Sequence, residues 1–133
     1  MAISCEKKET DDFHQKVRVT NNADYPVYVT WTIFAKNGGI EHERPLYGNI
    51  TEDKDAHRVS SGETNTTAIA ERGANSIEGF MGVYNMKVFF IDPEIFDPLP
   101  FGSSVPDEAI LSSRVYNLED LRAISFHIDY PLD

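Results

Sequence analysis

The fold is built around residues 26–35, Pro-Val-Tyr-Val-Thr-Trp-Thr-Ile-Phe-Ala. The odd-numbered positions of this stretch are apolar, and Tyr28, Thr30 and Thr32 fall between them. Because side chains alternate between the two faces of a strand, this spacing produces one dry face and one mixed face. Nearly every residue is β-branched or aromatic, which favours a half-buried pleated surface. The stretch therefore predicts a β-strand, with a proline at its first residue, where the missing N–H is tolerated.

A second strand is predicted for residues 86–92, Met-Lys-Val-Phe-Phe-Ile-Asp. Phe89 and Ile91 point one way in this strand, and Val88 and Phe90 point the other way. Since both sets are apolar, we expect both faces of the strand to be covered, one by a sheet and the other by a loop or helix. The expected cover consists of the apolar side chains that follow, which are Ile95, Phe96, Leu99 and Phe101.

Shorter signals complete the predicted architecture. We expect residues 16–20 to form an antiparallel hairpin with the 26–35 strand. Alternating short strands, polar turns and two or three helical turns indicate a mainly β fold, an antiparallel two-sheet β-sandwich of the immunoglobulin or transthyretin type. The remaining elements predicted are strands at residues 56–60, 64–70, 114–116 and 124–130 and short helices at residues 77–81, 105–111 and 117–122.

Charge and length limit the classes of function. The 133 residues suit one domain. Lysine and arginine number 12 and aspartate and glutamate 22, which gives a net charge of −10. Such an acidic chain, without a basic cluster, repels phosphate backbones, so we expect no nucleic-acid binding. No apolar run in the sequence approaches the roughly 20 residues that a transmembrane helix needs.

The N-terminal segment predicts a tether. Cys5 is the only cysteine, so no intrachain disulfide can form. It follows a small residue and precedes a charged tail, as in the acylated cysteine of a bacterial lipoprotein, although the segments that should precede such a cysteine are absent. The alternative is a free thiol. Residues 1–12 are charged and poor in apolar side chains, which predicts a flexible tether before a single β-sandwich domain at residues 13–133.

A family resemblance rests mainly on the last third of the chain. The strand at residues 88–92 and a helix-prone insert are followed by Tyr116-Asn117-Leu118-Glu119-Asp120-Leu121 and by a last strand that ends in Tyr130-Pro131. This pattern resembles small lipoproteins of Bacteroides-type bacteria, in which a Tyr-x-Leu-x-x-Leu stretch runs into a strand ending in Tyr-Pro. Val19-Thr20-Asn21-Asn22 and Cys5 fit the same group. Because the group has no assigned activity, the resemblance implies an architecture and a location, lipid-anchored to the outer membrane on its periplasmic or surface face.

Candidate chemistry is sparse. Asp53, Asp55 and His57 lie two residues apart, so on an extended segment they would share one face and could meet a cation. The alternative is a solvated acidic loop, because neither the glycine turn nor the bidentate acid of a calcium loop is present. Asp92, Glu94 and Asp97 form a second acidic set, which interleaved prolines make more typical of turn capping. We find no nucleophile on a glycine-flanked turn and no phosphate-binding loop, and we expect neither catalytic residues nor a cofactor.

Aromatic residues offer the other candidate site. Trp31 lies on the dry face of its strand and is predicted to belong to the core. Exposed aromatic rings can stack on sugars or on partner proteins, and the candidates are Tyr25, Tyr28, Tyr47 and Tyr84. We therefore expect a non-enzymatic binding or assembly accessory domain of the cell envelope, with an unknown protein or glycan partner. A glycan-binding module, and less so a metal-dependent enzyme, remain as alternatives.

Overall fold

The computed structural model describes residues 14–41, 54–70, 76–100 and 104–132. Seven strands lie within these ranges: β1 Lys16–Asn21, β2 Val27–Ala35, β3 Arg58–Val59, β4 Thr64–Ala70, β5 Tyr84–Ile91, β6 Ile110–Tyr116 and β7 His127–Tyr130. The same ranges contain four short helices, which are α1 Lys54–His57, α2 Ile77–Met81, α3 Pro93–Phe96 and α4 Leu118–Ala123, and a single 3-10 turn at Asp107–Ala109.

The strands form two sheets, as the sequence predicts. One sheet has three strands in the order β4-β1-β7, and the other has four in the order β3-β2-β5-β6. All pairs in the four-stranded sheet are antiparallel. In the three-stranded sheet β1 is antiparallel to β4 but parallel to β7, with Thr20 opposite Asp129. The predicted two-sheet β-sandwich with mainly antiparallel pairing is therefore confirmed, and the pairing of β1 with β7 is parallel.

The predicted hairpin between residues 16–20 and the β2 strand does not form. The chain crosses from one sheet to the other at residues 22–26, so β1 and β2 lie in different layers. Val17, Val19 and Val29 nevertheless pack in one cluster, because they face each other across the sandwich. The alternating pattern correctly assigned Val17, Val19 and Val29 to the core, but the dry faces of β1 and β2 pack against each other across the sandwich and do not continue side by side. The prediction is wrong at the end of β2, because Thr32 is buried whereas Ile33 on the predicted dry face is 36% exposed.

The four-stranded sheet is covered on both faces, as the β5 pattern predicts. Val88 and Phe90 face the three-stranded sheet and belong to the main core. Phe89 and Ile91 face the other way and pack with Phe96 of α3 in a second cluster. This second cluster is completed by buried Tyr28, Val105 and Ala109, with Ile95, Leu99 and Ile110 partly buried against it. Phe101, the other residue of the expected cover, lies outside the described ranges.

The short helices agree with the sequence in two cases and differ in a third. Helix α2 has the predicted bounds, and Ser76 Oγ accepts the Gly79 amide at 3.0 Å. Helix α4 begins with a capping box between Asn117 and Asp120. The helix predicted for residues 105–111 is wrong, because only a 3-10 turn forms before the chain enters β6. Pairing of β6 with β5 in the sheet outweighs the local helix signals there.

The last strand, β7, and the strand β3 are also shorter than predicted. β7 begins at His127, because Ser125 and Phe126 both have a φ of 55° and form a turn. Residues 56 and 57, predicted as strand, close helix α1, and only Arg58–Val59 pairs with β2. The polar turn at residues 61–62 follows, with Gly62 at a φ of 78°, a conformation that a glycine adopts without steric cost.

Candidate binding site at the tyrosine end of the sandwich

One end of the sandwich gathers loops that line two clefts. We call it the tyrosine end and define it by residues 22–26, residues 92–94 and residues 130–132. These segments follow β1, β5 and the close of β7, so strands from both sheets deliver them to the same place. Loops on a rigid sheet scaffold are where binding residues concentrate.

A pair of tyrosines lies at the centre of this end. The hydroxyl oxygens of Tyr25 and Tyr130 are 2.9 Å apart, and the two rings meet edge to face with centroids 6.1 Å apart. Tyr130 is buried, with its ring against Phe90 at a centroid distance of 4.6 Å, whereas Tyr25 keeps 42% of its surface exposed. The buried ring therefore fixes the position of an exposed one.

The loop that carries Tyr25 is held by a buried amide. Asn21 is fully buried, and its Nδ2 donates to the carbonyl oxygens of Tyr25 at 2.7 Å and Val59 at 3.0 Å. Its Oδ1 accepts the Ala23 amide at 2.9 Å, and Ser61 Oγ donates to the Ala23 carbonyl at 2.6 Å. The residue thus satisfies its own polar groups and fixes the backbone from β1 to Tyr25.

Residues 92–97, which face the Tyr25 loop across this end, are held by a second set of contacts. Asp92 Oδ1 accepts the Glu94 amide at 3.0 Å and caps α3. The Tyr28 hydroxyl donates to Asp97 Oδ1 at 2.6 Å, and the Tyr28 ring meets Phe96 edge to face. These contacts fasten α3 to the four-stranded sheet. The acidic set at residues 92–97 caps and anchors this turn, in agreement with the sequence prediction.

Two clefts open beside the tyrosine pair. The first, which we call the Tyr25 cleft, has a volume of about 310 Å³ and is lined by Tyr25, Pro26, Asp92, Pro93, Glu94 and Leu111. The second, which we call the edge groove, has a volume of about 460 Å³. It lies between β6 and β7 and is lined mainly by Arg114, Tyr116, Ile124 and residues 127–132.

The edge groove lies where both sheets end. Within the described residues, β6 is the last strand of the four-stranded sheet and β7 the last of the three-stranded sheet. On the outer face of β7, His127 Nε2 lies 2.6 Å from Thr20 Oγ1 and 3.9 Å from Asp129 Oδ1. Thr20 Oγ1 in turn contacts Thr64 Oγ1 at 2.7 Å, so a polar network spans the three-stranded sheet beside the groove.

Burial raises the pKa of three tyrosines, of which Tyr28 and Tyr130 lie at this end and Tyr116 lies at the far end of β6. Burial raises the pKa of Tyr130, and its hydrogen bond to Tyr25 and the nearby Asp92 carboxylate raise it further. Burial, followed by the hydrogen bond to Asp97, raises the pKa of Tyr28 to about 12. The pKa of Tyr116 is also raised, mainly by burial. All three hydroxyls therefore stay protonated at neutral pH.

The proposed metal ligands do not share the expected local structure. Asp55 and His57 lie on helix α1, where residues two apart point in different directions, and not on an extended segment. Asp55 is exposed, and His57 Nδ1 lies 2.9 Å from the Val29 carbonyl. No group of three or more possible metal ligands occurs among the described residues. Since Asp53 lies outside those residues, the three-residue site itself stays untested.

The aromatic candidates separate clearly. Tyr25 is exposed, as predicted, and Tyr84 is half-buried. The prediction that Tyr28 is exposed is wrong, because this side chain is 2% exposed and packs in the second cluster. Trp31 packs against the main core, as predicted, and its Nε1 donates to the Ala68 carbonyl at 3.0 Å. Tyr47 lies outside the described residues.

The sequence did not identify Asn21 and Tyr130 as parts of the site. The sequence indicates only that Asn21 belongs to a turn and that Tyr130 is one of the apolar positions of the last strand. Cys5 and residues 1–12 lie outside the described ranges, so the lipid anchor and the tether remain predictions. No helix in residues 14–41, 54–70, 76–100 and 104–132 is long and apolar enough to cross a membrane.

Comparisons with protein-family models, curated proteins and solved structures find no match for this chain.

Proposed function

We propose that this chain is a non-enzymatic binding domain of the cell envelope in a Bacteroides-type bacterium, anchored through Cys5, that takes up an extended strand of a partner protein along the edge groove. Support for the location comes from the resemblance of residues 88–131 to small lipoproteins and from the position of Cys5. Support for the binding mode comes from the edge strands.

The observation that carries the binding mode is the coincidence of two sheet edges at one groove. β6 has seven residues and has no further strand beside it among the described residues. An edge strand presents N–H and C=O groups that an extended peptide can pair with. The strand β7, which is only four residues long, forms the other side of the edge groove. A strand added to β6 would therefore lie in a groove and not on an open surface.

Side chains along the edge groove fit this mode. Ile124 is 37% exposed and Tyr116 is buried at the groove wall, which provides apolar contacts for alternate side chains of the incoming strand. Arg114 and Asp129 place opposite charges on the two sides, on β6 and β7 respectively. Such charges on edge strands disfavour unspecific pairing and orient a matched strand.

The test is site-specific photo-crosslinking in the source cells. A benzophenone side chain is placed at Arg114 or Asp129, on either side of the edge groove, and at exposed Arg18 on the central β1 strand as the control. We expect one discrete adduct from both groove positions and none from Arg18. Ile124→Lys should lower the adduct yield about tenfold, whereas Ile40→Lys, at a site 77% exposed, should not change it. Equal labelling from Arg18 and the groove positions would contradict the proposal.

A further inference from the structure

We propose that the Tyr25 cleft is a second, independent site, and that it binds a neutral or amino-bearing saccharide. In this arrangement one sugar ring lies on the exposed face of Tyr25 and its hydroxyl groups donate hydrogen bonds to Asp92 and Glu94. The site is separate from the edge groove, so either proposal can fail without the other.

The first argument is the fixed orientation of the aromatic ring. Tyr25 is 42% exposed, yet its hydroxyl is bound to that of Tyr130 and its backbone carbonyl to Asn21. A ring held in this way loses little conformational entropy when a ligand covers it, so more of the contact energy appears as affinity. An exposed tyrosine without such contacts would be an ordinary surface residue. The hydrogen bond between the two hydroxyl groups holds the Tyr25 ring, and the bond from Asn21 holds the backbone that carries it.

The second argument is the apolar surface beside the ring. Pro26, which is half-buried, and Leu111, which is 41% exposed, provide apolar surface in the Tyr25 cleft, and the buried Pro93 lies beneath it. A saccharide ring has an apolar face of C–H groups that packs on such surfaces, while its rim carries hydroxyl groups. A cleft of about 310 Å³ lies at the lower end of the range for small-ligand pockets, which suits a short saccharide.

The third argument is the set of hydrogen-bond acceptors. Asp92 and Glu94 line the Tyr25 cleft, and ionised carboxylates accept hydrogen bonds without donating them. One oxygen of Asp92 already caps α3 through the Glu94 amide, which fixes the orientation of the whole carboxylate. Hydroxyl groups of a sugar provide donors for the remaining acceptor positions, and hydrogen bonds to a charged acceptor are the stronger kind.

Charge selects among saccharides. Two carboxylates line the Tyr25 cleft in a chain of net charge −10, so a uronic acid or another anionic sugar would be repelled. A neutral sugar avoids this repulsion, and the ammonium group of an amino sugar is attracted by the carboxylates. A lysine-bearing peptide is the main rival ligand, because its ammonium group suits carboxylates and aromatic faces. The apolar surface of Pro26 and Leu111 favours a wider ligand than one ammonium group.

The experiment is an NMR titration of the full chain with four probes: a methyl glycoside of a neutral hexose, an N-acetylhexosamine, a free amino sugar and a uronic acid. A tetralysine peptide serves as the rival probe. We expect shifts at Tyr25, Glu94 and Leu111 with neutral or amino sugars and none with the uronic acid. Shifts with tetralysine alone, or no shift at these residues with any sugar, would overturn the proposal.

Variants separate the parts of the site. Tyr25→Ala should weaken sugar binding about tenfold or more through loss of the ring, whereas Tyr25→Phe, which keeps the ring, should weaken it only about threefold. Asp92→Asn retains a good helix cap, so this variant should keep its thermal stability while discriminating less against the uronic acid. Tyr84→Ala, a tyrosine at the opposite end of β5, is the matched control and should bind as the parent does. Unchanged affinity in folded Tyr25→Ala would overturn the site assignment.

Discussion

Tyr25 and Tyr130 are 105 residues apart in the sequence, yet their hydroxyl oxygens lie 2.9 Å apart. Tyr130 belongs to the three-stranded sheet, and Tyr25 lies in the connection from that sheet to the four-stranded one. The hydrogen bond therefore joins the inter-sheet connection to the end of the final strand. It also makes an exposed aromatic ring a fixed part of the surface.

Replacing Asn21 should destabilise the fold strongly. Asn21→Ala removes two donors and one acceptor at a fully buried position and leaves the Val59 and Tyr25 carbonyls without these partners. We expect the free energy of unfolding in urea to fall by about 2–3 kcal/mol. Asn22→Ala, at the exposed neighbouring position, should change it by less than about 0.5 kcal/mol. Equal effects from the two variants would refute the anchoring role of Asn21.

Removing the hydroxyl of Tyr130 should loosen the tyrosine pair with little damage to the core. Tyr130→Phe keeps the contact with Phe90 and loses only the hydrogen bond to Tyr25. We expect a loss of about 1 kcal/mol in the free energy of unfolding. Amide hydrogen exchange should accelerate at residues 23–25 and stay unchanged in β5. Unaltered exchange at residues 23–25 would mean that the pair does not hold this loop.

The capping box of α4 gives a prediction away from the site. Asn117 Oδ1 accepts the Asp120 amide at 2.8 Å, and Asp120 Oδ2 accepts the Asn117 amide at 3.0 Å. Asn117→Ala should lower the free energy of unfolding by about 1 kcal/mol, and Asn117→Ser by much less, because serine is also a good cap. Chemical denaturation of both variants measures the difference. Equal losses in both would show that the cap contributes little.

Stability should decline at alkaline pH. The pKa of Tyr28 is raised to about 12, and those of Tyr116 and Tyr130 are also raised, so above about pH 10 the unfolded chain loses tyrosine protons that the folded chain retains. The unfolded state then binds fewer protons than the folded state, and the free energy of unfolding falls as pH rises. This contribution is fully present below about pH 10 and is lost progressively as the pH approaches the folded-state values.

Urea denaturation between pH 8 and pH 11.5 measures this decline. Tyr28→Phe removes one of the three groups and should make the decline shallower over that range, although it also costs the hydrogen bond to Asp97 at all pH values. An unchanged slope in Tyr28→Phe would show that this hydroxyl does not retain its proton on folding.

Hydrophobic periodicity predicted the strands and most of their buried residues, because it reports which side chains avoid water, but it did not assign β1 and β2 to different sheets. The bounds of β4 and α2 and the two covered faces of β5 follow from local pattern alone. The pairing of the strands does not follow from the local pattern. The apolar face of β1 packs on the opposite sheet, and β1 pairs in parallel with β7. Ser125 and Phe126 continue an alternating pattern, yet both adopt a positive φ that no periodicity signals.

The candidate site was predictable only in part. An exposed Tyr25 and turn-capping acids at residues 92–97 follow from turn residues and prolines near strand ends. The positions of Tyr130, Asn21 and Leu111 beside them depend on which strands meet at one end of the sandwich. That information resides in long-range contacts between segments up to 105 residues apart, which one sequence does not reveal.

The proposed function depends most directly on an envelope location, and the mass of the native N-terminal peptide tests that location. The peptide is isolated from the membrane fraction and from the soluble fraction of the source cells and analysed by mass spectrometry. The proposal predicts a mature chain in the membrane fraction that begins at Cys5 and carries a diacylglyceryl modification. An unmodified peptide beginning at Met1, found only in the soluble fraction, would contradict the envelope assignment.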